Sequence, residues 1–246
     1  MSHFTRYKKE NSESYALGVA PVLDLLKYRS ENTVAIYLHP DLSSELERRI
    51  TDLAKAKKIP ILQGTKPFGT LSPKENCFAI GVFKKNEQLL SSSKNHVVLV
   101  NPSNTGNMGT IVRSCLGFGI KDIAVIRPAV DAFDPKCIRA SMGAFFQVNI
   151  QYFDSFEAYQ MHFKNYHFYP FMLKARSTLQ SFQKIQTPYA LIFGNEGSGL
   201  PDDYLKIGEP LLILHTHDID SLNLQTAVSL ACYEFTRKDF YEKKFK

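Results

Sequence analysis

The sequence predicts an α/β protein of two domains, the second built on a largely parallel sheet. Predicted strands alternate with predicted helices along most of the chain. Several strands, such as His96–Val100 and Tyr189–Phe193, are uninterrupted apolar runs, which is typical of parallel sheets covered on both faces. A polar segment at residues 84–96 holds three consecutive serines and resembles a linker. We therefore predict a first domain at residues 1–90 and a second at 91–246.

The first half of the chain predicts a small α/β unit. Thr33–Leu38 is rich in β-forming residues, and the helix that follows Ser43 or Ser44 carries its apolar side chains on one face. Two glycines and two prolines mark residues 64–73 as a loop. In chain order, the predicted elements are a flexible polar arm at 1–14, a helix at 16–28, a strand at 33–38, a helix from Ser43 or Ser44, a strand at 59–62, the loop at 64–73 and a strand at 77–83.

The second half restarts the alternation of strand and helix. Its helices show apolar residues at three- and four-residue spacing, and its strands are short apolar runs. The predicted strands lie at residues 96–100, 121–126, 147–152, 167–173, 189–193 and 211–215. The predicted helices lie at residues 109–118, 135–142, 155–164 and 221–238.

Composition excludes several classes of protein. The 246 residues are 44% hydrophobic and 22% charged, which excludes a disordered chain, a collagen and a coiled-coil rod. No stretch approaches the roughly 20 apolar residues that span a membrane, and the first ten residues lack the apolar core of a secretory signal. We expect a cytoplasmic protein without a membrane partner.

Charge and cysteine content constrain the partners. Lys and Arg number 30 and Asp and Glu 24, a net charge of +6, which fits a phosphate-bearing partner or solubility alone. The four cysteines form no Cys-x-x-Cys pair, so we expect reduced thiols and no cysteine-based metal site. Basic residues cluster near both termini and along one predicted helix, the latter at Arg48, Arg49, Lys55, Lys57 and Lys58.

The first segment that indicates chemistry, residues 101–115, follows an apolar strand and opens a helix. At the carboxyl edge of a parallel sheet, such a segment lies where ligands bind. Asparagine and glycine crowd residues 104–109, so backbone amides can approach a ligand closely. Asn107 and Arg113 are its candidate functional side chains. The alternative is a turn and a helix cap, with Arg113 on a solvated face.

The second segment, residues 191–201, also runs from an apolar strand into a glycine-rich loop. Its glycines at 194, 197 and 199 are spaced G-x-x-G-x-G, which is not the dinucleotide pattern, and the chain has no phosphate-binding P-loop motif. The loop is therefore a candidate cofactor site of another kind. Glu196 stands among these glycines, where its carboxylate could anchor a neighbouring segment or a ligand. An ordinary glycine-rich turn is the alternative.

The third segment is Ser221-Leu222-Asn223, which enters the last predicted helix. Ser221 or Asn223 could simply cap that helix. The preceding residues 215–220 read His-Thr-His-Asp-Ile-Asp, which raises a metal-dependent hydrolase as an alternative. No convincing further ligand motif exists elsewhere in the sequence, so we expect no metal.

Together, the order and spacing of the three segments resemble the SpoU/TrmH branch of the SPOUT RNA methyltransferases. The pattern Asn-x-Gly-Asn-x-Gly-x-x-x-Arg stands at residues 104–113, Gly-x-Glu-Gly-x-Gly-Leu at 194–200 and Ser-Leu-Asn at 221–223. Residues 138–144 also look like a recurrent family segment. The resemblance covers about residues 95–240. The first half looks like the ribosomal-protein-like α/β RNA-binding domain that many members carry.

This resemblance implies a fold, a cofactor and partners. It implies a SPOUT domain with a parallel sheet and a deep trefoil knot, S-adenosylmethionine bound in the knot, and a homodimer. The implied reaction is methylation of a ribose 2′-hydroxyl of RNA, ribosomal RNA more than transfer RNA. A sulfonium is already an activated methyl donor, so no metal is needed. A non-catalytic RNA-binding protein on the same fold is the alternative.

The resemblance also assigns site residues. Those implied to bind the cofactor are Gly194, Asn195, Ile213, His215 and Leu222. Those implied in catalysis are Asn107, Arg113, Glu196, Ser221 and Asn223. Because arginine stays protonated in proteins, we expect Arg113 to hold the target phosphate and stabilise negative charge on the attacking oxygen. We expect the asparagines to orient Arg113 or the ribose, and Glu196 and Ser221 to brace the loops.

One departure from the family pattern stands before the third segment. The family usually reads Ile-Pro-Met-x-Gly there, whereas this chain reads Ile213-Leu-His-Thr-His217. We expect the bulky His217, in place of glycine, to tighten the cofactor pocket.

Overall fold

The computed structural model describes residues 5–72 and 76–241. The chain forms two compact units, residues 1–86 with 131–147, and residues 87–130 with 148–246. The first break lies close to the predicted boundary after residue 90. The return of residues 131–147 to the first unit was not predicted.

The elements of the first unit are β1 Glu13–Leu17, α1 Val19–Tyr28, β2 Thr33–Leu38, α2 Ser44–Ala56, β3 Ile61–Gln63, α3 Lys66–Leu71 and β4 Ala79–Lys84. Its four strands form one sheet in the order β1-β4-β2-β3, in which only β2 and β3 pair in parallel. One buried cluster of its core includes Tyr15, Leu17, Tyr37 and Ile80.

Two elements of the first unit differ from the sequence-based expectation. Leu17 ends a strand rather than lying in a helix, because Gly18 adopts a φ of 112° and the helix begins after it. The predicted polar arm therefore ends in β1, and its residues 1–4 lie outside the described residues. The predicted loop at 64–73 contains the short helix α3, whose Pro67 stands in the first turn, where its missing N–H costs nothing.

The remaining elements continue in chain order. They are β5 His96–Val100, α4 Thr105–Gly117, β6 Asp122–Ile126, α5 Pro135–Ala140, β7 Asn149–Phe153, α6 Phe156–His162, β8 His167–Pro170, β9 Ser177–Thr178, β10 Tyr189–Phe193, β11 Leu211–Leu212 and α7 Leu224–Tyr241. All lie in the second unit except α5.

Residues 131–147 are fixed to the first unit by polar and aromatic contacts. Asp131 accepts from Tyr7 and pairs with Lys85 at 3.4 Å. The Phe146 ring lies 5.2 Å from that of Phe83, edge to face. Because these contacts join residues far apart in sequence, local patterning could not reveal them.

The second unit is built on a five-stranded parallel sheet in the order β7-β6-β5-β10-β8. Every residue of β5, β6 and β10 is buried, as expected for a sheet covered on both faces. The predicted α/β fold with a parallel sheet is confirmed. Among the described residues, no helix has the length and apolar character needed to cross a bilayer.

Three elements around the site begin or end at residues other than those predicted. Helix α4 begins at Thr105 rather than residue 109, because Asn104 caps it. Strand β11 ends at Leu212 rather than residue 215, and α7 begins at Leu224 rather than residue 221. The third segment therefore lies in irregular backbone before α7.

Candidate active site

The first two motif segments lie side by side because β5 and β10 are neighbours in the parallel sheet. Phe193 pairs with Leu99, so both strands end at the same edge. Asn101 follows β5 and Gly194 follows β10. Side chains and backbone amides from both segments therefore meet at the carboxyl edge, the usual place for ligands in such sheets.

Asn104 shapes the start of α4. Its Oδ1 accepts from the backbone N–H groups of Gly106 at 2.8 Å and Asn107 at 3.0 Å. This cap satisfies amides that would otherwise lack partners in the first helical turn. It explains both the early start of α4 and the asparagine in the motif.

Glu196 joins the two segments. Its Oε2 accepts from the N–H and the hydroxyl of Ser103 at 2.9 and 2.7 Å. Its Oε1 accepts from the N–H of Asn104 at 3.1 Å and from Nδ2 of Asn107 at 3.2 Å. Burial alone would raise the pKa of Glu196, but the hydrogen bonds from Ser103 and Asn107 outweigh it and lower the pKa below its ordinary value. The carboxylate is thus a charged brace between loops.

Asn195 organises the glycine-rich loop. Its Oδ1 accepts from the N–H groups of Gly197 at 2.9 Å and Ser198 at 3.3 Å, and its Nδ2 donates to the carbonyl of Asn101 at 2.8 Å. These bonds occupy both ends of the side-chain amide. What Asn195 offers a ligand is therefore its backbone.

Gly194 is required by the turn itself. A Cβ at this position would collide with the backbone of Gly199 and Leu200. Strand β10 runs into a turn closed by the backbone hydrogen bond from the N–H of Gly199 to the carbonyl of Asn195, 2.9 Å long. The close approach at Gly194 is thus between two parts of the chain, whereas the sequence suggested approach to a ligand.

A cavity of about 310 Å³ opens beside this loop. This volume is at the lower end of the roughly 300–1,000 Å³ typical of small-molecule sites. It is bounded by the segment after β8, the glycine-rich loop, the segment after β11 and the start of α7. The predicted site residues that line it are Gly194, Asn195, Glu196, Ile213, His215, Ser221 and Leu222.

The backbone after β11 is held by a side chain from elsewhere in the second unit. Gln180 donates to the carbonyl of Leu214 and accepts from its N–H, both at 3.1 Å. His215 hydrogen-bonds the carbonyl of Ile213 through Nδ1 at 2.9 Å. His217 is exposed and is not among the residues that line the cavity, so the expectation that it tightens the pocket was wrong.

Asn107, Arg113 and Asn223 do not line the cavity. Arg113 is exposed on α4, and in the part of the chain that the structure describes it has no hydrogen bond or ion pair. The next residue, Ser114, accepts a 2.8 Å hydrogen bond from Ser229, which joins α4 to α7. Asn223 is exposed just before α7. The guanidinium is therefore available to a ligand outside the cavity.

Two features of the site had little or no signal in the sequence. Ser103 gives two hydrogen bonds to Glu196, and only its place before the Asn104 motif could have indicated it. Lys174 and Asp202 line the cavity but lie outside all three motif segments. Within the described ranges, no group of three or more His, Cys, Asp or Glu residues is arranged to hold a metal ion.

Comparison with known proteins decides the family. A sequence model of the SpoU rRNA Methylase family matches residues 94–233. The chain belongs to this family. A relative from Listeria innocua, provisionally named a tRNA (cytidine(34)-2′-O)-methyltransferase, is 31% identical over 153 residues, which cover 60% of this chain and 89% of that protein.

Solved structures of similar fold extend over both units. An rRNA methyltransferase from Sinorhizobium meliloti with bound AdoMet has a TM-score of 0.79 at 20% identity and covers 92% of this chain and 88% of its own. The SpoU methyltransferase AviRb from Streptomyces viridochromogenes has a TM-score of 0.77 at 19% identity, and the match covers 94% of this chain and 91% of AviRb. The predicted membership of the SpoU RNA methyltransferase family is confirmed.

Proposed function

We propose that this protein transfers a methyl group from S-adenosylmethionine to a ribose 2′-hydroxyl of RNA, with ribosomal RNA as the preferred substrate. The observation that carries the proposal is the Glu196 network, which joins residues 104–113 to residues 194–200 beside a cavity of about 310 Å³. We favour ribosomal RNA because the family model that matches residues 94–233 is that of the SpoU rRNA methylases.

The lining of the cavity supports this proposal. We propose that backbone groups at Gly194, Ile213 and Leu222 hold the adenine, together with Asn195 and His215, because all five residues line the cavity. Apolar side chains such as Phe171 and Leu212 also line the cavity. When bound, S-adenosylmethionine supplies a methyl group already activated by its sulfonium charge. In keeping with the family resemblance, we propose that the chain around this cavity is knotted.

Arg113 is the residue we propose to act on the RNA. A ribose hydroxyl is a poor nucleophile, so the site must position it and stabilise the charge that develops on its oxygen. As the methyl group leaves the sulfonium, S-adenosylhomocysteine is released, and the hydroxyl proton passes to a phosphate oxygen or another acceptor. The guanidinium stays protonated, and its planar donors suit a phosphate oxygen. Its exposure on α4 and its lack of a described partner leave those donors available to RNA.

The remaining residues position Arg113 and the loops. Glu196 accepts a hydrogen bond from the side-chain amide of Asn107 at 3.2 Å, and Asn107 lies on the same helix as Arg113. We propose that Asn107 and Asn223 orient Arg113 or the ribose, and that Ser221 braces the segment before α7. No step requires a metal ion, because the donor itself is the electrophile.

The first unit is proposed to bind RNA. Arg48, Arg49, Lys55, Lys57 and Lys58 are all exposed on or just after α2. Exposed cations on one helix can contact successive phosphates, and such binding weakens steeply with salt. We propose that this face gives RNA affinity and target choice, while the second unit performs the chemistry in the cytoplasm.

We also propose a homodimer. The sequence alone predicts that the apolar face of the last helix, with Leu222, Leu230 and Phe235, packs against a second copy. Phe235 is instead buried, with its ring 5.0 Å from that of Tyr169. On α7, Leu230 and Tyr233 remain 42% and 51% exposed and are the available apolar side chains.

The direct test is methylation of total RNA with radiolabelled S-adenosylmethionine, followed by nucleotide mapping. We expect one labelled position, resistant to alkaline cleavage because its 2′-hydroxyl is blocked, in ribosomal RNA. Label in a base would contradict ribose methylation, and label in transfer RNA alone would contradict the substrate choice. Binding of RNA and donor without any transfer would indicate a non-catalytic RNA-binding protein.

A further inference from the structure

An ion pair stands at the rim of the cavity. Nζ of Lys174 lies 2.7 Å from both carboxylate oxygens of Asp202. Both residues line the cavity, yet their side chains are 66% and 67% exposed. The pair therefore lies where the cavity meets solvent, with Lys174 on the segment after β8 and Asp202 just after the glycine-rich loop.

Such a pair contributes little to folding. Water screens both charges, and holding two flexible side chains together costs conformational entropy. For the same reason, a ligand that offers both a carboxylate and an ammonium group can separate the pair at low cost and satisfy each charge in turn.

The other charged groups at the cavity are already engaged. Glu196 uses both carboxylate oxygens to hold the Ser103–Asn107 region. Among the described residues that line the cavity, Lys174 is the single lysine or arginine, and Asp202 is the one other carboxylate. A ligand with a zwitterionic end would therefore meet its two complementary charges at one place on the rim.

We propose that Lys174 and Asp202 bind the amino-acid end of the methyl donor. The Lys174 ammonium contacts the donor's carboxylate, and the Asp202 carboxylate contacts the donor's ammonium group. This inference rests on the proposed placement of the donor in the cavity. The apolar and backbone part of the cavity would take the adenosine, and the ion pair would select against nucleosides that lack the amino acid.

The experiment compares two stable ligands by titration calorimetry on the full chain. S-adenosylhomocysteine carries the amino-acid end, whereas 5′-methylthioadenosine keeps the adenosine and sulfur but lacks that end. Lys174→Ala and Asp202→Asn should each weaken S-adenosylhomocysteine about fivefold to tenfold, since water partly replaces a charged hydrogen bond at an exposed site. Both variants should leave 5′-methylthioadenosine within about twofold of wild type.

Two controls accompany these variants. Lys174→Arg keeps the charge and should retain most of the affinity for S-adenosylhomocysteine. Lys206→Ala removes a neighbouring lysine that pairs with Asp203 at 3.7 Å and does not line the cavity, and it should change neither ligand. The preference of wild type for S-adenosylhomocysteine should also shrink as salt rises, because the contacts are exposed.

If Lys174→Ala weakens the affinity for both ligands equally, the lysine has only a structural role and the inference is overturned. Unchanged affinity for both ligands would overturn it as well. The placement of the donor is tested separately by Ala227→Leu, which narrows the cavity from α7, and by Ser198→Leu, at an exposed lining position. If neither variant weakens either ligand, the placement itself is wrong. If they weaken both ligands while Lys174→Ala weakens none, only the ion-pair inference fails.

Discussion

Replacing Glu196 with glutamine tests the brace between the two motif segments. Each carboxylate oxygen accepts two hydrogen bonds, Oε2 from Ser103 and Oε1 from Asn104 and Asn107. A glutamine amide has one acceptor end, so either orientation leaves two donors facing an NH₂ group. At about 1 kcal/mol for each lost bond, with water replacing part of the interaction at this half-exposed site, Glu196→Gln should cost about 2 kcal/mol.

The assay is hydrogen exchange at the amides of Ser103 and Asn104, together with urea unfolding followed across pH. Exchange should accelerate at the amide of Ser103 or of Asn104, whichever faces the NH₂ group, and unfolding should occur at lower urea. Because folding lowers the pKa of Glu196, its carboxylate contributes fully to the free energy of unfolding at any pH above the ordinary glutamate pKa of about 4.3. That contribution is lost as the pH falls through the pKa of Glu196 in the folded protein. Variant and wild type should therefore have the same stability in acid. Glu10→Gln, at an exposed carboxyl in the first unit, is the control. Unchanged exchange at both amides in Glu196→Gln would refute the reasoning.

Three further predictions follow from the structure. Gly194→Ala should destabilise the second unit, because its Cβ meets backbone, whereas Gly197→Ala should be tolerated because its nearest neighbour is a side-chain oxygen 3.5 Å away; equal melting temperatures would contradict this. Arg113→Ala should reduce methylation by orders of magnitude, and Arg113→Lys nearly as much, while the affinity for S-adenosylmethionine measured by calorimetry stays unchanged. Near-normal turnover in either variant would remove Arg113 from the mechanism. A chain that begins at Lys94 should aggregate or bind hydrophobic dye, because residues 131–147 lose the first-unit partners that bury them, and a monomeric, dye-negative product would contradict this assignment.

Local sequence patterns predicted what is local in the fold. The apolar runs at His96–Val100 and Tyr189–Phe193 are strands of one parallel sheet, and the asparagine–glycine segment after the first of them opens a helix. The family pattern assigns Glu196 and Asn107 to one site, and the structure joins their side chains by a 3.2 Å hydrogen bond. Each of these inferences needed only a short window of residues or a family pattern.

What the sequence did not reveal depends on long-range contacts. The strand Glu13–Leu17 is too short to show a period, and it forms by pairing with β4 some 65 residues later, where Ala16 faces Gly81. The apolar periodicity of α7 includes Phe235 in either case, whether the side chain packs in the core or against a second copy. The contact with the Tyr169 ring shows that it packs in the core. Lys174 and Asp202 belong to no motif, and their contact exists only once the chain is folded.

The position of residues 131–147 also affects how the chain is made. During synthesis, the first 86 residues leave the ribosome well before the segment that supplies α5 and the Phe146 ring to the same unit. By the time this segment emerges, β5, α4 and β6 have already been translated. The first unit therefore completes its folding only after residues 131–147 emerge, and the surface that they cover stays exposed until roughly half of the second sheet has been translated.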